Sequence, residues 1–145
     1  MFKTILIPTD GSKLSENAAK QALQFAKSIN AKVVGFHSME PYHVFAIDAE
    51  MVSDTREVYE RDAKLNTARN LAKIEDMARS AGVPCECVSG QDDHPWQAII
   101  KTAQSKGCDL IAMASHGRRG MQGLLIGSQT NHVLTHSIIP VLVFR

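Results

Sequence analysis

The stretch CDLIAMASHGRRGMQGLLIGSQT, residues 108–130, decides the fold. Residues 108–114 are almost all apolar, which is typical of a strand that is covered on both faces, as the strands of parallel sheets are. A glycine-bearing connection follows, and from Gly127 to Ser137 the sequence predicts a helix. The stretch therefore indicates an α/β protein, in which a strand is followed by a connection and then by a helix.

The same alternation runs through the rest of the chain. Further strands are predicted over residues 2–7, 31–38, 83–88 and 138–144, and further helices from Ser15, over 58–81 and from Pro95 to Gly107. Because such strands need right-handed crossovers, the sequence predicts one domain over residues 1–145 with a doubly wound, five-stranded parallel sheet and helices on both faces.

Two details of this pattern concern the long predicted helix. Its apolar spacing predicts an inward face, closed at the C-terminal end by Gly82. The residues predicted to form that face are Leu65, Ala68, Leu71, Ala72 and Ala78. Residues 39–57 precede the helix and fit no strand or helix period; we interpret them as a mobile flap or a partly helical insertion. His43, Asp48 and Glu50 lie in that insertion and have no partner that the sequence identifies.

Composition limits the function. The chain has 16 basic and 15 acidic residues, a formal net charge of +1, which gives no reason to expect binding to nucleic acid or to an anionic membrane. No apolar run approaches the roughly 20 residues that span a bilayer, and the N-terminus does not resemble a secretory signal. Three cysteines without framework spacing fit a reducing compartment. We therefore expect a soluble, cytoplasmic protein.

A binding site is expected where the connections after the first and fourth strands meet. In open α/β sheets, ligands bind beyond the carboxyl ends of the strands. Gly127 and Ser128 would open the fourth helix there, and the free amides of its first turn favour an anion such as phosphate. The loop matches neither the Walker pattern nor the GxGxxG fingerprint. Arg118 and Arg119 are its cations, and they are interpreted either as phosphate ligands or as a solvated basic surface.

Several of these features together resemble one family. The start ILIPTDGS, the strand exit MASHGRRG, the spacing from Gly117 over nine residues to Gly127-Ser128, and the end PVLVFR are similar to the universal stress protein family over essentially the whole chain. The ATP-binding branch carries a glycine, two residues, a glycine, nine residues, and then glycine with serine or threonine. Here Ala114 replaces the first glycine, which weakens binding if that position needs positive φ and is harmless if it needs only a small side chain.

The resemblance implies a Rossmann-like nucleotide-binding domain with a defined set of contacts. The adenosine pocket would be formed by the residues after the first strand and at the end of the second, the ribose and phosphates would be flanked by the fourth-strand exit, and the phosphates would be held at the start of the fourth helix. The residues at these positions are Pro8, Thr9, Asp10, Ser38, Met113, Ala114, Gly117, Gly127, Ser128, Gln129 and Thr130. ATP with Mg²⁺ or Mn²⁺ is the implied ligand, and Val141–Phe144 is the implied edge of a homodimer.

Other chemistry-bearing residues have simpler interpretations. Cys85 and Cys87 lie on the same strand face, but no second pair completes a metal site, so structural thiols are the preferred interpretation. The group formed by Asp92, Asp93 and His94 directly precedes Pro95 and is better explained by helix capping than by metal binding. His116 either donates to a phosphate or is solvated, and Gly120 and Gly123 are expected only to permit a flexible loop.

No catalytic set is evident, since paired carboxylates and a nucleophile elbow are both missing from the sequence. The preferred hypothesis is an ATP-binding regulatory protein of the stress response, a dimeric switch or partner-binding module, with slow hydrolysis or autophosphorylation at most. The alternatives are an interaction protein of the same fold whose cleft takes no nucleotide, and a transferase that uses ATP.

Overall fold

The helices and strands alternate along the whole described chain. The structure is a computed structural model that describes residues 1–42, 49–117 and 126–145, with the backbone only over 49–54. Its elements are β1 (Thr4–Pro8), α1 (Lys13–Ser28), β2 (Lys32–Met39), α2 (Ala49–Ala81), β3 (Cys85–Gln91), α3 (Pro95–Ser105), β4 (Leu110–Ala114), α4 (Ser128–His136) and β5 (Val141–Phe144).

The five strands form one parallel sheet in the order β3-β2-β1-β4-β5. The chain first builds outward from β1 to β3 and then returns to the other side of β1. The winding direction therefore switches between β1 and β4, where open sheets of this type bind ligands. The predicted doubly wound, five-stranded parallel sheet is confirmed.

Each face of the sheet has its own core. On one face Ile5 and Ile7 of β1 pack with apolar residues of α1 and α2. On the other face Leu6 packs with residues of α3 and with Val133 of α4. Residues 4–7 of β1 are buried without exception, as expected for a strand covered on both sides. Helices lie on both faces, as predicted.

Glycine ends helix α2 as the sequence indicated. Gly82 has φ +71°, and its amide donates to Arg79 O at 3.1 Å while Val83 N donates to Ala78 O at 2.9 Å. This left-handed residue redirects the chain into β3. Helix α1 begins two residues before the predicted Ser15, at Lys13, because Ser12 is the N-cap and its Oγ accepts from Ser15 N at 3.2 Å.

The predicted inward face of α2 is wrong in part. Leu65 is 58% exposed, and Ala68 and Ala72 are exposed as well, whereas Leu71 is half-buried and Ala78 is buried. The true inward face is turned by about one residue and contains polar side chains: Thr67, Asn70, Ile74 and Ala78 are buried. The spacing of apolar residues does not predict the inward face of α2, because this helix covers the polar end of the sheet as well as its core.

The insertion over residues 39–57 is partly helical. Helix α2 begins at Ala49, nine residues before the predicted start at residue 58. His43, Asp48 and the side chain of Glu50 lie outside the described residues, as do Arg118, Arg119, Gly120 and Gly123.

Candidate functional site

The loop after β1 is fixed by its own polar side chains. Thr9 Oγ1 lies 3.1 Å from Ser15 Oγ and accepts from Gly11 N at 3.1 Å. Asp10 Oδ1 accepts from Ser12 N at 2.9 Å. These bonds join the loop to the start of α1, so the Thr9 and Asp10 side chains are held at the carboxyl end of the sheet.

This loop contacts the connection after β4 at Gly117. A Cβ added to Gly117 would stand 2.4 Å from Asp10 Oδ2, so the Asp10 carboxylate packs directly against the Gly117 backbone. Gly117 is absent from the glycines with positive φ. Glycine therefore leaves room here for the Asp10 carboxylate, which a Cβ would displace, and the backbone conformation does not demand glycine.

The start of α4 is tied back to the end of β4. Gly127 N donates to Ser115 O at 2.7 Å, and Ser115 N donates to Phe144 O at 2.7 Å. A Cβ on Gly127 would stand 3.2 Å from both Ser115 O and His116 Cα. A glycine at 127 thus lets the helix begin in contact with the strand exit, although the two segments are separated along the chain.

The first turn of α4 presents backbone donors. Gly127 is the N-cap and supplies no side-chain acceptor, and the first intrahelical bond runs from Asn131 N to Gly127 O at 2.9 Å. The amides of Ser128, Gln129 and Thr130 precede that bond, as the first-turn amides of any α-helix do. With the positive end of the helix dipole, they form a site suited to an anion.

Two of the side chains predicted to hold phosphate have structural partners. Gln129 Oε1 accepts from Trp96 N at 3.0 Å. Thr130 Oγ1 donates to Ala114 O at 2.9 Å, and Thr130 is 3% exposed. These two side chains hold α4 against α3 and β4. The groups available to a ligand at the helix start are therefore the backbone amides of these residues and not their side-chain oxygens.

Ala114 occupies an ordinary strand position. It is the last residue of β4, pairs with Phe144 of β5, and is 8% exposed. It is not among the residues with positive φ; of the described residues other than glycine, Asn30 alone has that conformation. Alanine at position 114 is therefore free of backbone strain.

These segments enclose a cleft of about 850 Å³. All eleven residues that the family pattern marked line it: they are Pro8, Thr9, Asp10, Ser38, Met113, Ala114, Gly117, Gly127, Ser128, Gln129 and Thr130. His116 lines it too, with its Nδ1 atom 3.1 Å from Ser115 Oγ. The sequence therefore located the cleft and the strand ends that form it.

The sequence did not locate the wall of the cleft that α2 forms. Tyr59, Asp62, Ala63, Asn66 and Thr67 line it from that helix. Their spacing of three and four residues continues back from the buried Ile74 and Ala78, which is the signal that would have found them. The signal was obscured because most of these residues are polar.

Several buried polar atoms near the cleft have no hydrogen-bond partner among the described residues: Ser38 Oγ, His116 Nε2 and Asn70 Nδ2. Ser38 and His116 line the cleft, whereas Asn70 lies beneath it against Gly11. A buried polar group without a partner is costly. A polar ligand would relieve that cost at Ser38 and His116.

The residues before α3 form a turn that Asp92 stabilises. Asp92 Oδ1 accepts from His94 N at 3.0 Å, and Asp92 Oδ2 lies 3.0 Å from Lys101 Nζ. The backbone amide of His94, followed by the Lys101 ammonium, holds the pKa of Asp92 below its usual value. Across the described residues, no three His, Cys, Asp or Glu side chains are grouped as metal ligands would be. The predicted side-chain cap is wrong: His94 is the N-cap residue and its side chain makes no capping bond, while Asp92 closes a turn before the helix and Trp96 N donates to Gln129 instead.

The comparisons with known proteins agree with the fold. The family model described as the universal stress protein family matches residues 1–145, and the chain belongs to that family. Universal stress protein MJ0531 of Methanocaldococcus jannaschii is 32% identical over 100% of this chain and 83% of its own length.

Two solved structures extend the likeness. The structure of MJ0577 from the same organism has a TM-score of 0.76 at 27% identity and covers 99% of this chain and 95% of its own. A universal stress protein solved in complex with cAMP has a TM-score of 0.73 at 26% identity and covers 99% and 97% of the two chains. In the described part of this chain, no helix is both long and apolar enough to cross a membrane.

Proposed function

We propose that this protein binds an adenine nucleotide in the cleft between β1 and β4 and acts as a nucleotide-dependent regulatory module, with ATP as the expected ligand. The observation that carries the proposal is the convergence of all eleven family positions on one cleft at the switch point of the sheet. The cleft volume of about 850 Å³ lies within the usual range for small-molecule sites.

The phosphate end of the ligand is assigned to α4. The amides of Ser128, Gln129 and Thr130 precede the first intrahelical bond, and the Ser128 side chain is exposed beside them. Gly117 and Gly127 bring two backbone segments close to this point without a Cβ. The start of α4 therefore favours a polyphosphate, because it offers free amides and the positive end of the helix dipole, and because no side chain obstructs the approach.

The nucleoside end is assigned to the loop after β1 and the end of β2. Asp10 is placed to accept from a ribose hydroxyl or from the base, and Ser38 Oγ is a buried group that needs a partner. His37 and Thr67 extend this polar region, since His37 Nδ1 and Thr67 Oγ1 lie 3.1 Å apart and both residues are buried.

Charge explains why a divalent ion would accompany the nucleotide. The described residues that line the cleft include Asp10, Glu40 and Asp62 but neither Lys nor Arg. A triphosphate would add further negative charge, and the helix dipole supplies only about half a unit of positive charge. Mg²⁺ or Mn²⁺ carried with the phosphates would offset that repulsion, and Arg118 and Arg119 are further candidates for this role.

The relative solved with cAMP supports a nucleotide as the ligand class, since it shares the fold over nearly the whole chain at 26% identity. A regulatory role is preferred over catalysis because the Ser115 hydroxyl, which lies 3.1 Å from His116 Nδ1, belongs to a buried residue that does not line the cleft. The proposed switch is a homodimer through the edge of β5, Val141–Phe144. The interaction-protein alternative draws no support from Ala114, whose backbone is unstrained.

Calorimetric titration of the purified chain with ATP and Mg²⁺ tests the proposal, with AMP and cAMP as separate titrants to rank the nucleotides. Asp10→Asn should weaken binding by about tenfold, equivalent to roughly 1.4 kcal/mol, because a charged acceptor is lost. Asp76→Asn is the matched control, since Asp76 is exposed on α2 and pairs with Arg79 away from the cleft.

Gly127→Val should abolish binding, because its Cβ would approach backbone atoms at 3.2 Å and displace the start of α4. Circular dichroism establishes that the variant is folded. The proposal fails if the unmodified protein binds none of the three nucleotides at millimolar concentration, a result that would favour an interaction protein of the same fold.

A further inference from the structure

Cys85 and Cys87 form a pair of thiols outside the cleft. They lie on β3, at the opposite end of the sheet order from β5, and their Sγ atoms are 3.9 Å apart. Both are free and half-buried, so they are sheltered but still in contact with solvent. Their shared strand face, which the sequence predicted, is turned towards α2.

The fold holds this pair in place through three contacts. Val33 and Gly35 of β2 are the register partners of Cys85 and Cys87. A Cβ on Gly35 would stand 3.0 Å from Cys87 Sγ and 2.8 Å from Ile74 Cγ2, so the glycine makes room for the thiol. Cys87 Sγ also lies 3.6 Å from Leu71 O, to which its S–H donates.

The separation of the two sulfur atoms distinguishes between possible uses. Two thiolates bound at about 2.3 Å to one tetrahedral metal ion stand about 3.8 Å apart, which the observed 3.9 Å matches without movement. A disulfide needs about 2.05 Å. To form it, two residues held in the β2–β3 ladder would have to bring their sulfur atoms closer by nearly 2 Å.

Two acidic side chains lie near the thiols. The carboxylates of Glu75 and Glu86 lie near enough to act on both thiols. Glu75 lies 4.0 Å from Arg79 and Glu86 is paired with Lys106, so their charges are offset and the separation of the two sulfur atoms carries the proposal.

We propose that Cys85 and Cys87 bind a thiophilic d¹⁰ cation, of the class of Zn²⁺, Cd²⁺ and Cu⁺, as a two-thiolate site. The remaining coordination positions are filled by water or by a small thiol, since no third His, Cys, Asp or Glu of the described residues completes the set. Each divalent ion displaces two S–H protons to solvent as two metal–sulfur bonds form, and no electrons are transferred. The site is independent of the nucleotide cleft.

Titration of the reduced, metal-free full chain with Cd²⁺ tests this proposal. The expected result is an ultraviolet thiolate-to-cadmium charge-transfer band that saturates at one equivalent, with the release of two protons per ion measured in weak buffer. Cys85→Ser and Cys87→Ser should each remove most of the band. Cys108→Ser is the matched control and should retain it, because Cys108 is buried in the core on the other face of the sheet from Cys85 and Cys87.

Two further experiments rank the metal ions and exclude unfolding of a variant as the reason for a lost band. Competition with a chromogenic zinc chelator and with a copper(I) chelator ranks Zn²⁺ against Cu⁺. The unmodified protein, alkylated at residues 85 and 87 as mapped by mass spectrometry, should lose the band without any substitution. A missing band in the unmodified protein overturns the proposal, as does a band that persists in the alkylated protein or in the double variant.

Discussion

Gly11 is the residue at which backbone conformation and packing both require glycine. Its φ is +78°, and an added Cβ would stand 2.5 Å from Asn70 Oδ1 and 2.7 Å from Asn70 Nδ2. Asn70 lies on the inward face of α2 and is 4% exposed. The turn after β1 is therefore shaped partly by a helix that lies far from it in the sequence.

Gly11→Ala should consequently destabilise the fold more than Gly82→Ala. Gly82 has a similar φ of +71° but no atom within 4 Å of an added Cβ, so it isolates the backbone cost of about 1 kcal/mol. At Gly11 the displacement of the buried Asn70 amide adds to that cost, for a total of about 2–3 kcal/mol. The free energy of unfolding in urea measures both variants, and equal losses would contradict this account of Gly11.

The family pattern predicted glycine at 117 and 127, but the reason for each glycine was not available from the sequence. Neither has positive φ. Gly117 leaves room for the Asp10 carboxylate, and Gly127 allows the close approach of Ser115 O and His116. These contacts join segments that the fold brings together, so spacing along the chain indicates the positions while the physical cause appears only in three dimensions.

At the scale of elements, the type and order of helices and strands followed from the sequence. Apolar strands covered on both faces, such as β4, leave a clear signal, and so do glycine at the end of α2 and proline at the start of α3. The orientation of α2 did not follow. Leu65 is exposed, and Thr67 and Asn70 are buried, because this part of the helix packs against polar groups at the ends of the strands.

The contact between α4 and β4 depends on one buried hydroxyl. Thr130→Val keeps the shape of the side chain but leaves Ala114 O without the donor that now lies at 2.9 Å. We expect a loss of about 1–3 kcal/mol in the free energy of unfolding. Thr130→Ser keeps the donor and should cost less than Thr130→Val.

Thr135→Val is the control on the same helix. Its hydroxyl donates to Asn131 O at 2.8 Å but is exposed, so we expect a change within about 0.5 kcal/mol. Urea denaturation of the three variants measures the difference. If Thr130→Val is as stable as Thr135→Val, the buried bond does not fasten α4 to the sheet.

At the scale of the whole molecule, the direction of the backbone groups in β5 defines the edge to which the proposed second copy would pair. Pro140 O accepts from Ile111 N at 3.0 Å, and Phe144 O accepts from Ser115 N at 2.7 Å, so the even-numbered residues of β5 face β4. Because N–H and C=O groups alternate along a strand, Val141 and Val143 direct theirs away from β4. No described strand pairs with that outer edge, and Ile138 beside it is 87% exposed.

A substitution at the outer edge of β5 should therefore dissociate the proposed homodimer without unfolding the subunit. Val143→Pro removes an N–H from the outer edge and keeps the bonds to β4, so the folded protein should become monomeric, as measured by sedimentation velocity or native mass spectrometry. Ser89→Pro is the matched control on β3. Pro84 O faces β2, since it accepts from Val33 N at 2.8 Å, so the even-numbered residues of β3 face β2. The N–H of Ser89 therefore points outward, as that of Val143 does. It should leave the dimer intact. A Val143→Pro protein that remains dimeric, or a Ser89→Pro protein that dissociates equally, would move the interface away from β5.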